Sequence, residues 1–311
     1  MERIVSRPDL ESLLNSIHAN TSDPRVGIFG PDSITWKINR ESALFLGAGR
    51  AALLQLAHPW VATALQQHSS LFGDPIARFH NTFRIVFTMI YGSLGQALAA
   101  ARHLHTLHTR IQGELPESVS GWQCGTRYRA NEIAALRWVY ATLVESAVLA
   151  FETVLPLAAT ERESYYQESK IMAALFGIPG CELPSDWSAF SSYTEQMAGE
   201  LGATSAARSM ADAVLSGAGS WVHPPAWYRA LTIDWMPPRL RAEFGLQADP
   251  TRAARARRWL PRVYRALPAS MRFVGPVQEA QARLRGRGMS MLIRWNNRFW
   301  IGQPCLPFGA Q

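Results

Sequence analysis

The chain is poor in cysteine and has almost no lysine. Its three cysteines, Cys124, Cys181 and Cys305, are far apart and odd in number. That excludes a disulfide framework and a C-x-x-C metal or redox pair. Arginine supplies nearly all the positive charge. No run of about 20 residues is free of polar or charged side chains, which argues against a membrane-spanning helix. The nearest approach, "WVYATLVESAVLAFETVLPLAA", is interrupted by Glu145 and Glu152. The first twenty residues, "MERIVSRPDLESLLNSIHAN", mix charge into every turn and lack the apolar core of a signal peptide. Runs of alternating β-branched residues are missing, and so is an H-E-x-x-H zinc motif. With 311 residues, 48% of them hydrophobic, the chain has enough apolar surface to bury a core. These features point to a soluble, cytoplasmic protein.

One glycine pattern invites a cofactor reading and does not sustain it. "LGAGRAALL" has Gly47 and Gly49, but no third glycine, preceding strand or ribose-binding acid. These glycines are better read as sites of close helix packing. The charge is also unevenly spread. From residue 227 onward there are 15 arginines against 4 carboxylates, and the densest stretch is "TRAARARRWLPRVYRALP". Such a face suits nucleic acid or an anionic membrane, or is simply solvated. No aromatic interleaving or nucleic-acid motif accompanies it, so no nucleic acid is expected, while peripheral membrane contact stays open.

The 3.6-residue period recurs along nearly the whole chain, so the expected fold is all-α. Helices are predicted over 39–66 (broken at His58-Pro59), 75–92, 94–112, 132–155, 160–176, 187–200, 205–216 and 250–266. Asp74 and Pro75 start the second of these and Gly92 stops it. Asn131 is the expected cap of the long helix 132–155. The predicted organisation is an N-terminal helical arm (1–34), one all-α domain (35–266) and an irregular C-terminal extension packed on it (267–311).

The segment "RHLHTLHTRIQGE" puts His103, His105 and His108 within six positions. At about 100° per residue from Leu94, the apolar positions Ala97, Leu98, Ala101, Leu104 and Ile111 share one sector. His105 (about 20°) and His108 (about 320°) lie inside that sector, and His103 (about 180°) lies opposite. Two imidazoles therefore face inward, as hydrogen-bonded core residues or as ligands. Glu145 is the only charged residue between Arg137 and Glu152. A carboxylate there is ion-paired with an arginine, orients a ligating imidazole, or acts as a base.

"LGAGRAALLQLAHPWVATALQQHS", "DPIARFHNT", "LHTLHTRIQG", "RWVYATLVESAVLAFE" and "PPAWYRALTIDWMPPRLRAEFGL" occur in this order. Together they resemble a haem-dependent oxygenase family that includes the latex-clearing protein (rubber oxygenase) and MpaB-type oxygenases. The resemblance implies a globin-like, all-α domain enclosing a b-type haem and its iron. Without a C-x-x-C-H motif, that haem would be non-covalent. It implies His108 as the proximal iron ligand, with His105 beside it. It implies Arg78 and Thr82 as the distal pair, four residues apart. The lysine that precedes this threonine in rubber-cleaving members is Asn81 here, leaving His68 or His80 as candidates for a sixth ligand. Arg50 and Arg84 are candidates for the haem propionates on charge alone, and Tyr140 and Glu145 lie on a helix that lines the haem side. The implied activity is O₂-dependent oxidation or cleavage of carbon–carbon double bonds in an apolar, isoprenoid or lipid-like substrate, with room for an external electron donor. The alternatives are a gas-binding or electron-transfer haem protein, a peroxidase-like enzyme, and a haem-free helical protein that binds through its basic C-terminal segment. No oligomeric state is implied.

Overall fold

The computed structural model describes residues 3–68, 75–218 and 223–309. Among these the protein is all-α apart from one small hairpin. The chain runs through α1 (Arg7–Asn20), α2 (Ile34–Asn39), a 3-10 turn (Ser42–Leu46), α3 (Ala48–Leu56) and α4 (Pro59–His68). It continues through α5 (Pro75–Tyr91), α6 (Leu94–His108) and the antiparallel strands β1 (Gln112–Glu114) and β2 (Arg127–Arg129). Then come α7 (Ile133–Val154), α8 (Ala159–Leu175), α9 (Trp187–Glu200), α10 (Ser205–Ser216), α11 (Ala226–Asp234) and α12 (Pro238–Glu243). The C-terminal part holds α13 (Pro250–Ala266), α14 (Ala269–Arg272), α15 (Gly275–Leu284) and α16 (Met291–Ile301).

Helix α7 is the central element, packing on α2, α3, α8, α9 and α13. It is long and apolar enough to cross a membrane, yet 67% of its most apolar window is buried inside the protein. It is therefore a core helix, with apolar neighbours on nearly every side. Leu10, Leu14 and Ile17 of α1 share a cluster with Tyr140, Val144 and Phe151 of α7 and Leu94 and Leu98 of α6.

Local chemistry sets the boundaries. Ser6 and Ser93 each form a capping box, with Asp9 and Gln96 respectively. Thr204, Asp249 and Ser290 cap α10, α13 and α16. Gly217 and Gly302 end α10 and α16 in the left-handed conformation. Asp74, the expected cap of α5, lies outside the described residues.

Several expectations are corrected. The apolar stretch 39–66 is broken before His58 as well as after it, by the 3-10 turn at Ser42–Leu46. The cap of α7 is Glu132, because the Asn131 amide instead donates to the Val5 carbonyl at 3.0 Å. The C-terminal extension carries the helices α14, α15 and α16, with irregular chain between α15 and α16 and from Gly302 onward. Its aromatic residues and its Ser290 and Gly302 signals are those of a capped amphipathic helix. The arginines of α13 face solvent while Ala253, Ala256, Leu260 and Tyr264 are buried.

Gly47 shows how tightly α7 is held. A Cβ there would sit 2.4 Å from the Ser146 carbonyl oxygen, whereas one on Gly95 of α6 meets nothing within 4 Å. Gly47→Ala is expected to cost about 2 kcal/mol through overpacking, and Gly95→Ala to gain roughly 0.5 kcal/mol. Urea denaturation of the two variants checks this.

Candidate active site

Only Gly92 and Ser93 separate α5 from α6. Connections this short join antiparallel neighbours. Ser93 fixes the start of α6: its hydroxyl accepts from the Gln96 backbone at 3.4 Å, and the Gln96 side chain accepts from the Ser93 N–H at 3.0 Å. A Cβ on Gly92 would lie 2.4 Å from the Thr88 carbonyl, so the turn has no room for a side chain.

Antiparallel pairing then sets the levels. Arg78 stands thirteen residues before Tyr91, and His108 fourteen after Leu94. At 1.5 Å per residue both are about 20 Å from the turn, so they sit at the same height. Arg78, Thr82, Ile85 and Met89 share one face of α5 by their spacing of three and four. Ile85 and Met89 join the apolar cluster that holds Leu98 and Leu104 of α6. The far end of the same face carries Thr82 and Arg78, opposite the histidine end of α6.

The electrostatics agree with this layout. Burial, then the neighbouring His105 and Arg78 charges, push the His108 imidazole down to about 4, so it is neutral at physiological pH. Burial also pulls Arg78 below its ordinary value. Both side chains nonetheless keep part of their surface accessible, and Thr82 and Leu107 are exposed. Both groups are desolvated yet not sealed in, so they stand at the edge of the helix packing rather than inside a core. Among the described residues nothing hydrogen-bonds the His108 ring, so it presents a neutral nitrogen lone pair.

The other histidines are spent elsewhere. His105 Nε2 lies 3.0 Å from the Val5 carbonyl, tying α6 to the segment before α1. His103 is exposed, beside the Phe308 ring at 5.4 Å. His68 and His80 place Nε2 at 3.1 and 3.0 Å from the carbonyls of Gln112 and Phe299.

The remaining candidates do not converge on this end of the hairpin. Arg50 is buried against α7, donating to Glu145 at 2.7 Å, Ser146 at 3.0 Å and the Trp235 carbonyl at 2.9 Å. Glu145 also accepts from the Thr194 hydroxyl at 3.1 Å. Each therefore answers the other's charge, locking α3 and α9 onto α7. Arg84 Nε donates to the Ile301 carbonyl at 3.1 Å, at the C-terminal end of α16. The Tyr140 hydroxyl is buried 2.6 Å from that of Ser169, inside the α7–α8 interface.

Sequence reasoning missed an aromatic ladder. Phe79, Phe83, Phe87 and Tyr91 recur every four residues on α5, with successive centroids 4.7, 5.6 and 5.9 Å apart. Phe45 inserts against Phe83 at 4.7 Å and stacks on Trp300 at 4.2 Å. The spacing of four was the available signal. His58 was also missed. It is buried beside Trp60 and Trp122, its Nδ1 has no partner, and burial pushes it down to about 4.

His58 makes stability depend on acid. The unfolded chain takes up its proton near pH 6.5 and the native chain only near pH 4. Its contribution is therefore complete above pH 6.5 and is lost as pH falls toward 4. His58→Leu should make that decline shallower by up to about one proton, as read from denaturation midpoints across the window.

Searches of curated proteins and of solved structures found no match. A family model did match, over residues 36–272: the catalytic domain of the ER-bound oxygenase mpaB/B′ and rubber oxygenase. The match spans α2 through α14 and so contains the α5–α6 hairpin and the α3–α7 ion pair. The chain belongs to the mpaB/rubber oxygenase catalytic-domain family.

Proposed function

We propose that this protein is a haem b-dependent oxygenase for an apolar, isoprenoid or lipid-like substrate, with His108 as the proximal iron ligand. What supports the reading is the desolvated His108 imidazole, kept neutral by burial and without a hydrogen bond among the described residues, level with Arg78 on the neighbouring helix. A b-type haem needs one such nitrogen, whereas zinc and non-haem iron sites need several ligands together. Among the described residues no group of three or more His, Cys, Asp or Glu converges. The donor set therefore fits haem. Family membership supports oxygenase chemistry.

When bound, the haem would supply oxygen activation. Everything else falls to the chain. His108 holds its lone pair free because burial and the nearby Arg78 charge disfavour its protonation. Arg78 and Thr82 bring donors to the same end of the hairpin, where they stabilise negative charge developing on a reacting oxygen. The α5 aromatic ladder stiffens the helix that carries them and keeps its other side dry. His68 and His80 are engaged with carbonyls, so neither would be drawn on to hold the haem. In this reading Glu145 and Arg50 support the site as the ion pair that seats α7, and Tyr140 helps hold α8 in place.

The test is the visible spectrum of protein produced with haem precursor supplied. Wild type is expected to show a Soret band, which His108→Ala loses and His105→Ala retains. Arg78→Leu should keep the band and lose roughly 10²-fold in O₂-dependent product formation from an isoprenoid substrate. A haem-free wild type, or a band that survives His108→Ala and vanishes in His105→Ala, refutes the assignment.

A further inference from the structure

We infer that the outer face of α16 docks on an anionic lipid bilayer. Met291, Leu292, Trp295 and Phe299 are 87%, 68%, 65% and 57% exposed. At about 100° per residue these four fall in a sector roughly 100° wide. Isolated exposed apolar residues are ordinary, but four large ones on a single helical face are not.

The exposure is built in, since the opposite face anchors the helix. Asn297 and Ile301 are fully buried, and Asn297 Nδ2 donates to Glu279 at 2.6 Å. Trp300 stacks on Phe45, and Asn296 donates to the Phe273 carbonyl at 3.3 Å. Ser290 caps the start and Gly302 closes the end. Seen end-on, α16 is apolar on two opposite sides, and only one of them has a partner.

Charge identifies the occupant of the other side. Arg294 and Arg298 are exposed along one edge of the apolar sector, and Arg285 and Arg287 are exposed in the segment leading to α16. Residues 250–311 hold twelve arginines and a single carboxylate, Glu279. Glu279 is buried and taken up by Asn297 and the Leu306 N–H. Asp249, Asp234 and Glu41 pair with Arg252, Arg257 and Arg272, but among the described residues no carboxylate pairs with Arg285, Arg287, Arg294 or Arg298, so the surface around α16 is cationic. Pairing with a second copy would bring arginine edges together, an arrangement disfavoured by like charge. A helix with a Trp, Phe, Leu and Met face flanked by arginine matches the interface of an anionic bilayer, where apolar side chains enter and guanidinium groups stay at the headgroups.

Vesicle flotation of the full chain tests this, and it reads binding without haem or activity, so it stands apart from the cofactor assignment. The protein should float with phosphatidylcholine vesicles containing about a third phosphatidylglycerol and stay behind with phosphatidylcholine alone. Trp295→Ser/Phe299→Ser should lower partitioning at least roughly tenfold, and Arg294→Gln/Arg298→Gln should erode the preference for phosphatidylglycerol. Unchanged far-UV circular dichroism and melting show that the variants fold. Should the double variant fail to fold, brominated lipid tails supply the readout, quenching wild type more than Trp295→Phe. Failure to float, equal binding to neutral vesicles, or variants that bind like wild type overturn the proposal. So does a wild-type dimer that Trp295→Ser/Phe299→Ser converts to monomer without any flotation, which gives the face to a second copy.

Discussion

The two-residue turn between α5 and α6 is the constraint on which the site depends. Gly92 has no space for a side chain, and Ser93 starts α6 immediately through its capping box. With no slack in the connection, the two helices run antiparallel from a common origin. Residues equally distant from the turn must then meet. Arg78 and His108 stand level in this way, close enough for the Arg78 charge to act on the imidazole, although thirty positions separate them in sequence. A longer loop would let α6 slide, and the cation would no longer face the imidazole.

Two arginines of this chain stand beside very different neighbours. Arg50 is buried with its donors directed at a carboxylate, a hydroxyl and a carbonyl, so its charge is neutralised in place. Such a pair holds α3, α7 and α9 in register, whatever its net worth in stability. Arg78 is engaged as well, and its charge is also felt by the neutral His108 imidazole. Desolvation disfavours protonation of the histidine, and the nearby cation acts in the same direction. The result is an imidazole kept neutral without a hydrogen bond from any of the described residues.

Much of this was legible in the sequence, because it rests on local periodicity. The helices at 187–200, 205–216 and 250–266 lie where the 3.6-residue pattern puts them. The helical wheel of α6 turned His103 to solvent, and it is exposed. What escaped was non-local. No pattern within α3 or α7 says that Arg50 will choose Glu145, since the pairing depends on how the two helices cross. Asn131 carries a good capping side chain but is drawn away by the Val5 carbonyl, more than a hundred residues earlier. The aromatic ladder on α5 was visible as spacing, yet its role emerges only when Phe45 and Trp300 pack onto it. The aromatic, Pro- and Gly-bearing C-terminus suggested irregularity, because its composition speaks louder than its caps.

The central proposal is that His108, and no other side chain, would supply the protein nitrogen that holds a haem. Replacing His108 with glycine and adding free imidazole tests it most directly. The account predicts that His108→Gly binds haem weakly with an altered ligation spectrum, and that imidazole restores both affinity and the wild-type spectrum. Haem bound by His108→Gly with wild-type affinity and spectrum in the absence of imidazole would contradict it.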